Sequence, residues 1–186
     1  MIYINFSAEI NPHTSEALMK FLADQINQGE KEFYILISSP GGSTIDGITL
    51  YNFINSLPGK VIMHNVGIID SIANVIFLAS KERYATPHSS FLFHGVAFNI
   101  TQPGPLGEKE LKEKIKIIER DQKLISEIIA ERTKFPVEEI RKLFLEAQTK
   151  TPEEAKEIGL IQEVKDVKIP EGAKVFSFVF PQRPWR

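Results

Sequence analysis

The sequence predicts an α/β fold with a largely parallel sheet. Short apolar runs alternate with stretches of helical periodicity along most of the 186 residues. The run at residues 33–37 is continuously apolar, as expected for a strand buried on both faces. A third stretch, residues 71–80, is apolar almost all round and reads as a central core helix.

Taken in order, residues 2–6 form a first strand. Asn11 and Pro12 open a helix, with proline in the first turn, where its missing N–H is not needed. Leu18, Phe21, Leu22 and Ile26 recur at helical spacing up to Gly29, a C-terminal cap. After the strand at 33–37 and a Gly41, Gly42 loop, Ile48, Tyr51, Ile54 and Leu57 give a second helical stripe, ended by a turn at Pro58 and Gly59. Residues 60–65 are the third strand and 71–80 the third helix; 83–85 and 91–93 are short strands separated by Pro87. Residues 95–107 are rich in Gly, Pro and Asn. A long helix runs from about 108 to 133, with one stripe of Leu111, Ile115, Ile118, Gln122, Ile125 and Ile129 and a flank of Ile117, Leu124 and Ile128. Its other faces carry Lys and Glu at i, i+4 spacing. Pro136 starts a short helix to about Glu146, and Thr151, Pro152 and Glu154 form a capping box. A last strand covers 174–180, and Trp185 in the tail is a candidate contact with a neighbouring chain.

Composition narrows the function. Hydrophobic residues are 42% and charged residues 25%, ordinary for a globular chain long enough to bury a core as one domain over residues 1–186. Lys and Arg total 22 against 24 Asp and Glu, a net charge of −2, so no basic excess points to nucleic acid. With no cysteine, disulfides and thiolate metal sites are excluded. His13, His64, His88 and His94 form no i, i+4 zinc pair. No apolar stretch approaches membrane-spanning length and no signal peptide opens the chain, so the expected location is the cytoplasm.

Three stretches carry chemistry. Gly67 and Ser71 lie where an apolar strand passes into an apolar helix. A serine at such a turn sits beside the unpaired N–H groups of the helix start, where a hydroxyl nucleophile and an oxyanion are handled together. The same serine also fits a plain helix N-cap. Ser39, Pro40, Gly41 and Gly42 end a strand with two glycines that let backbone approach a ligand closely. The strand at 91–93 delivers His94, a base with an unperturbed pKa of about 6.5. His64 reads as a core histidine, and His13 and His88 as surface residues.

In this order and spacing, with the closing helix and strand at 151–161, these stretches resemble the ClpP family of self-compartmentalising serine peptidases over residues 2–164. The resemblance implies a crotonase-like superhelix of strand-strand-helix units, with the long helix as a protruding handle that meets a facing ring of subunits. It implies a serine endopeptidase acting on peptides or unfolded proteins inside stacked homo-oligomeric rings, without cofactor or metal. Ser71 is then the nucleophile, His94 the base, and the backbone N–H groups of Gly42 and Ile72 the oxyanion donors. The family's third triad member, an aspartate, falls at Ala147, flanked by Glu146 and Gln148; Glu146 is the candidate replacement. An ATPase unfoldase is the family's partner. The chain opens directly on its first strand, without the helix and axial loop that contact the unfoldase, which weakens the case for that partner.

Ile69 and Asp70 stand where the family has two small residues, Ile72 and Ala73 where it has Met and Gly, and Gly95 and Val96 where it has Gln and Pro. Gln162 ends the closing strand where an aspartate is common. Asp70 caps the helix or repels a developing oxyanion. Two other functions compete: a catalytically weak or inert ring subunit, which Ala147 and Asp70 favour, and a crotonase-type acyl-CoA enzyme sharing the two-N–H oxyanion hole.

Overall fold

In the computed structural model, which describes residues 1–97, 104–105 and 107–180, strands and helices alternate as expected. Parallel strands β1 (Ile2–Ser7), β2 (Glu32–Ser39) and β3 (Lys60–Asp70) are joined by α1 (Pro12–Asn27) and α2 (Thr44–Ser56). Asn11 and Thr14 close the α1 capping box, and Gly29, at φ 90°, takes the left-handed position just past the helix end. A late strand, β8 (Val175–Val179), runs parallel beside β1 and packs Phe176 and Phe178 on Phe21 of α1. The expectation for Trp185 falls on residues 181–186, outside the described residues.

β3 is longer than its apolar run suggests: it extends to Asp70 rather than ending at Asn65. Its first half pairs with β4 (Glu82–Ala85) and its second half with β5 (Ser90–Leu92), so the sheet forks along it. Between Asn65 and Ile69, β3 advances four residues while β2 advances two, from Ile37 to Ser39. Polar side chains satisfy the backbone of that bulge. Asn65 Oδ1 accepts from the Gly67 N–H (2.9 Å), Asn65 Nδ2 donates to Ser90 O (2.9 Å), and Ser38 Oγ accepts from the Ile68 N–H (3.2 Å). A polar Asn ending an apolar run therefore marks a splice between two strand pairings, not a strand end.

The third helix is shorter than the apolar stretch predicts. Only Ala73–Phe77 is α-helical (α3), wholly buried, and Ser71 and Ile72 form a turn before it. At its far end Ser80 Oγ accepts from the Glu82 N–H (3.0 Å), turning the chain into β4. The buried Arg83 then ties three elements together. It donates to Ser80 O after α3, to Arg132 O at the end of α4 (Glu108–Arg132), and to Gly159 O and Leu160 O after α6 (Pro152–Glu157), at 2.6–3.2 Å. Burial and the nearby Arg132 lower its pKa to about 10, which still leaves it charged at neutral pH.

The long helix packs over only part of its length. Ile125, Ile128 and Ile129 are buried, whereas Leu111, Ile115, Ile117 and Leu124 are exposed. Behind it, α5 (Val137–Glu146) leads into β6 (Thr149–Lys150), which pairs antiparallel with β5. The closing strand β7 (Glu163–Val164) begins after Gln162, whose side chain is taken up by the Arg83 N–H (2.6 Å).

His64 is a fully buried core histidine, while His13 and His88 are exposed. Its Nε2–H donates to Lys165 O (3.0 Å), so Nδ1 is free to accept from the Tyr34 hydroxyl (2.7 Å). This pair of bonds requires the neutral ring. Burial lowers the His64 pKa, against the carbonyl bond that raises it, with Lys165 lowering it and Asp166 raising it. The folded pKa lies below the unfolded one, so the folded state resists protonation. Stability is therefore full above about pH 6.5 and declines as pH falls below that value. Chemical denaturation at about pH 7 and about pH 5 should show a larger acid loss in wild type than in His64→Gln. Equal losses would remove His64 from the explanation.

Candidate active site

Ser71 sits at the end of β3 with φ 56°, a left-handed conformation that a non-glycine residue adopts at a cost of about 1–2 kcal/mol. It is not a helix cap: the N-cap position of α3 is Ile72, with no side-chain cap bond. The turn is held by its neighbours. The Ser71 N–H donates to Leu92 O (2.9 Å), and the buried Asn74 Nδ2 donates to Leu92 O (2.9 Å), Ser71 O (3.1 Å) and Ile69 O (3.3 Å). One side-chain amide thus fixes the backbone on both sides of the serine.

The glycine loop lies directly against this turn. A Cβ on Gly41 would stand 2.6 Å from Asp70 O and 2.8 Å from the Ser71 Cβ, so only glycine permits the approach. Gly42, at φ 143°, pairs with Ile10 in an isolated parallel bridge: the Ile10 N–H donates to Gly41 O (2.7 Å) and the Ser43 N–H to Ile10 O (2.8 Å). In a parallel bridge these two bonds use the flanking peptides, which leaves the Gly42 N–H directed away from Ile10. Among the described residues nothing accepts a hydrogen bond from the Gly42 N–H or from the Ile72 N–H. Two free backbone donors therefore flank Ser71.

His94 follows β5 and is half-buried. Its Nδ1 lies 2.9 Å from Gly95 O; a carbonyl only accepts, so Nδ1 carries a proton and Nε2 is the nitrogen left to act as a base. Residues 148–150 run antiparallel beside β5, following the end of α5. Phe91 faces Lys150, Leu92 faces Thr149, and the Phe93 N–H donates to Gln148 O (2.9 Å). The register does not continue past Gln148: the Gly95 N–H donates to Phe144 O (3.1 Å), at the end of α5, so Ala147 falls between the contacts made on either side of His94. Ala147 itself is left-handed, at φ 49° and ψ 52°. Glu146 is exposed, and its carboxylate accepts from Gln148 Nε2. Among the described residues no hydrogen bond joins His94 to Ser71 or to Glu146.

Asp70 does not cap α3. It is opposite Leu92 in the β3–β5 register. Burial raises its pKa, while a backbone hydrogen bond from Leu92 and the charge of His94 pull it back.

Two site residues escaped sequence reasoning. Asn74 looks like one polar interruption in an apolar helix; a polar residue there, with no solvent side to face, is the signal that would have found it. Asp121 is buried on α4, accepts from Thr44 Oγ1 (3.0 Å) and from Arg120, and so anchors the start of α2 just after the glycine loop. Its place four residues before Ile125, on the buried stripe, was the available clue. Among the described residues no cluster of His, Asp and Glu is placed to hold a metal, and no helix is long and apolar enough to cross a membrane.

The chain is similar to known proteins over most of its length. The chain is 30% identical over 172 residues to an ATP-dependent Clp protease proteolytic subunit 1 of Bacillus cereus, covering 89% of this chain and 85% of that protein. A solved structure of a ClpP1 mutant from Listeria monocytogenes superposes with a TM-score of 0.78 at 25% identity, over 89% of this chain and 92% of that one. Residues 2–168 match the Clp protease family, and the chain belongs to that family.

Proposed function

We propose that the chain is a serine endopeptidase that cleaves peptides or unfolded proteins. The observation that carries this reading is Ser71 in a left-handed turn beside backbone N–H groups that are unpaired among the described residues, with the His94 Nδ1 proton held by the Gly95 carbonyl so that Nε2 can serve as the base. Ser71 Oγ attacks the scissile carbonyl as His94 Nε2 takes its proton. The Gly42 and Ile72 N–H groups hold the oxyanion. His94 returns the proton to the leaving amine as the C–N bond breaks. Water, deprotonated by His94, then hydrolyses the acyl ester and restores Ser71.

Residues 1–186 act as a single peptidase domain in a cytoplasmic homo-oligomer of stacked rings. Its handle is the exposed part of α4, where Leu111, Ile115 and Ile117 await a second copy. Fluorophosphonate labelling tests the enzyme reading. Wild type should be labelled at Ser71 and cleave an unfolded-protein substrate, and Ser71→Ala should lose both. Cleavage that survives in Ser71→Ala overturns the assignment.

One observation favours a second reading: the position where the family's third member is expected is Ala147, which brings no carboxylate. A ring subunit of low or no activity would assemble normally and remain unlabelled.

A further inference from the structure

A serine-histidine pair needs two services from its third partner: an acceptor for Nδ1–H, which sets the tautomer, and negative charge for the imidazolium that forms. The position where the resemblance expects that partner carries Ala147, the left-handed cap of α5, and Glu146 is engaged by Gln148 in solvent. The first service is nonetheless supplied, because the Gly95 carbonyl accepts from Nδ1 at 2.9 Å.

A source of charge lies on the other side of His94. Asp70 faces Leu92 across the β3–β5 pair. Side chains alternate along a strand, so Leu92 and His94, two residues apart, share a face, and Asp70 is on that face with them. The opposite face takes the buried Phe91 and Phe93. Asp70 pairs with β5, whereas the Gly42 donor lies on the β1–β2 side, at the Ile10 bridge. Of the two roles expected for Asp70, capping is excluded by the α3 N-terminus, and repulsion of the oxyanion is disfavoured by this orientation.

We propose that the third-member role is divided in this protein: the Gly95 carbonyl fixes the His94 tautomer, and the Asp70 carboxylate stabilises the His94 imidazolium from the strand that carries the nucleophile. Asp70 is thus a positioning residue acting through His94. The inference rests on the peptidase reading for its consequence, but not for its geometry. Among the described residues, His94 is the ionisable side chain whose protonated form would favour the Asp70 carboxylate. Glu146, next to Ala147 in the chain, is exposed and engaged by Gln148.

The test uses the full chain with histidine-selective isotope labelling, and NMR titration of His94 in wild type, Asp70→Asn and Asp70→Glu. Asp70→Asn keeps the size of the side chain and an oxygen acceptor for Leu92. It should lower the His94 pKa by about one unit and slow fluorophosphonate labelling of Ser71 about tenfold. Peptide turnover should fall in kcat with KM unchanged, and Asp70→Glu should recover part of both shifts. A His94 pKa that is unchanged or raised in Asp70→Asn overturns the proposal, as does faster labelling, which would make Asp70 a repeller of the oxyanion. If wild-type Ser71 is never labelled, the peptidase reading fails, while the His94 titration still decides whether Asp70 acts on the imidazole.

Discussion

Gly42→Ala should lose at least about a hundredfold in the labelling rate of Ser71, the effect of removing one oxyanion donor. The methyl group would fall inside contact distance of Ile10 O, with Ile10 C at 3.0 Å and Ile10 N at 3.1 Å, all of them backbone atoms. Those atoms cannot rotate aside as a side chain would. Relief must come from opening the Ile10–Gly42 bridge or turning the peptide, and either swings the Gly42 N–H off its direction. The φ of 143° adds strain of its own. Gly29→Ala is the matched control: it also sits at positive φ, 90°, but its added Cβ meets nothing within 4 Å. It should lower stability by about 1 kcal/mol and leave labelling at the wild-type rate. If thermal denaturation shows both variants folded and they label equally fast, Gly42 is not a donor.

The contrast between these two glycines bears on what the sequence could reveal. Gly29 was legible as a helix end because it follows a periodic stripe, a purely local pattern. The need for Gly41 and Gly42 is not local. It comes from Asp70 and Ser71 in one case and Ile10 in the other, about thirty residues away in each direction. The strand-helix alternation was readable for the same reason as Gly29, since hydrophobic period is set within a dozen residues. The strand at 60–70 was cut short in sequence because its second half is stabilised by side chains, Asn65 and Ser38, rather than by an apolar pattern. The third helix was overextended for the converse reason. Apolarity continued through Ser80, but the left-handed Ser71 and the Ser80 turn bound the helical segment to Ala73–Phe77.

Ser71 and His94 were legible as candidates because each stands at the end of an apolar element. What holds them was not. Asn74 and the Gly95 carbonyl act through hydrogen bonds that cross between elements, and a carbonyl has no sequence signature at all. The role of Asp70 depends on which face of β3 it occupies, and the bulge between Asn65 and Ile69 changes that count.

Ala147→Asp should raise the reactivity of Ser71, the opposite of the usual effect of a point change. Three features of the site favour it. Ala147 lies between two backbone contacts that flank His94, Phe93 N–H to Gln148 O and Gly95 N–H to Phe144 O, so a carboxylate there starts on the chain segment beside the histidine. Its backbone is already left-handed, at φ 49°, a conformation that aspartate tolerates better than alanine, so the exchange relieves strain instead of adding it. The residue is exposed, so no packed neighbour must move and the new charge carries little desolvation cost. The carboxylate would take over Nδ1–H from the Gly95 carbonyl and add charge where the imidazolium forms. In a serine-histidine-aspartate triad, losing the third member lowers kcat about 10⁴-fold, and recovering a modest part of that corresponds to about a tenfold to hundredfold gain in labelling rate. The gain should be larger in the Asp70→Asn background than in wild type, because the two carboxylates would serve one imidazole and their effects would not add. A folded Ala147→Asp protein that labels no faster than wild type would place residue 147 out of reach of His94, and would return the site to the reading of an inert ring subunit.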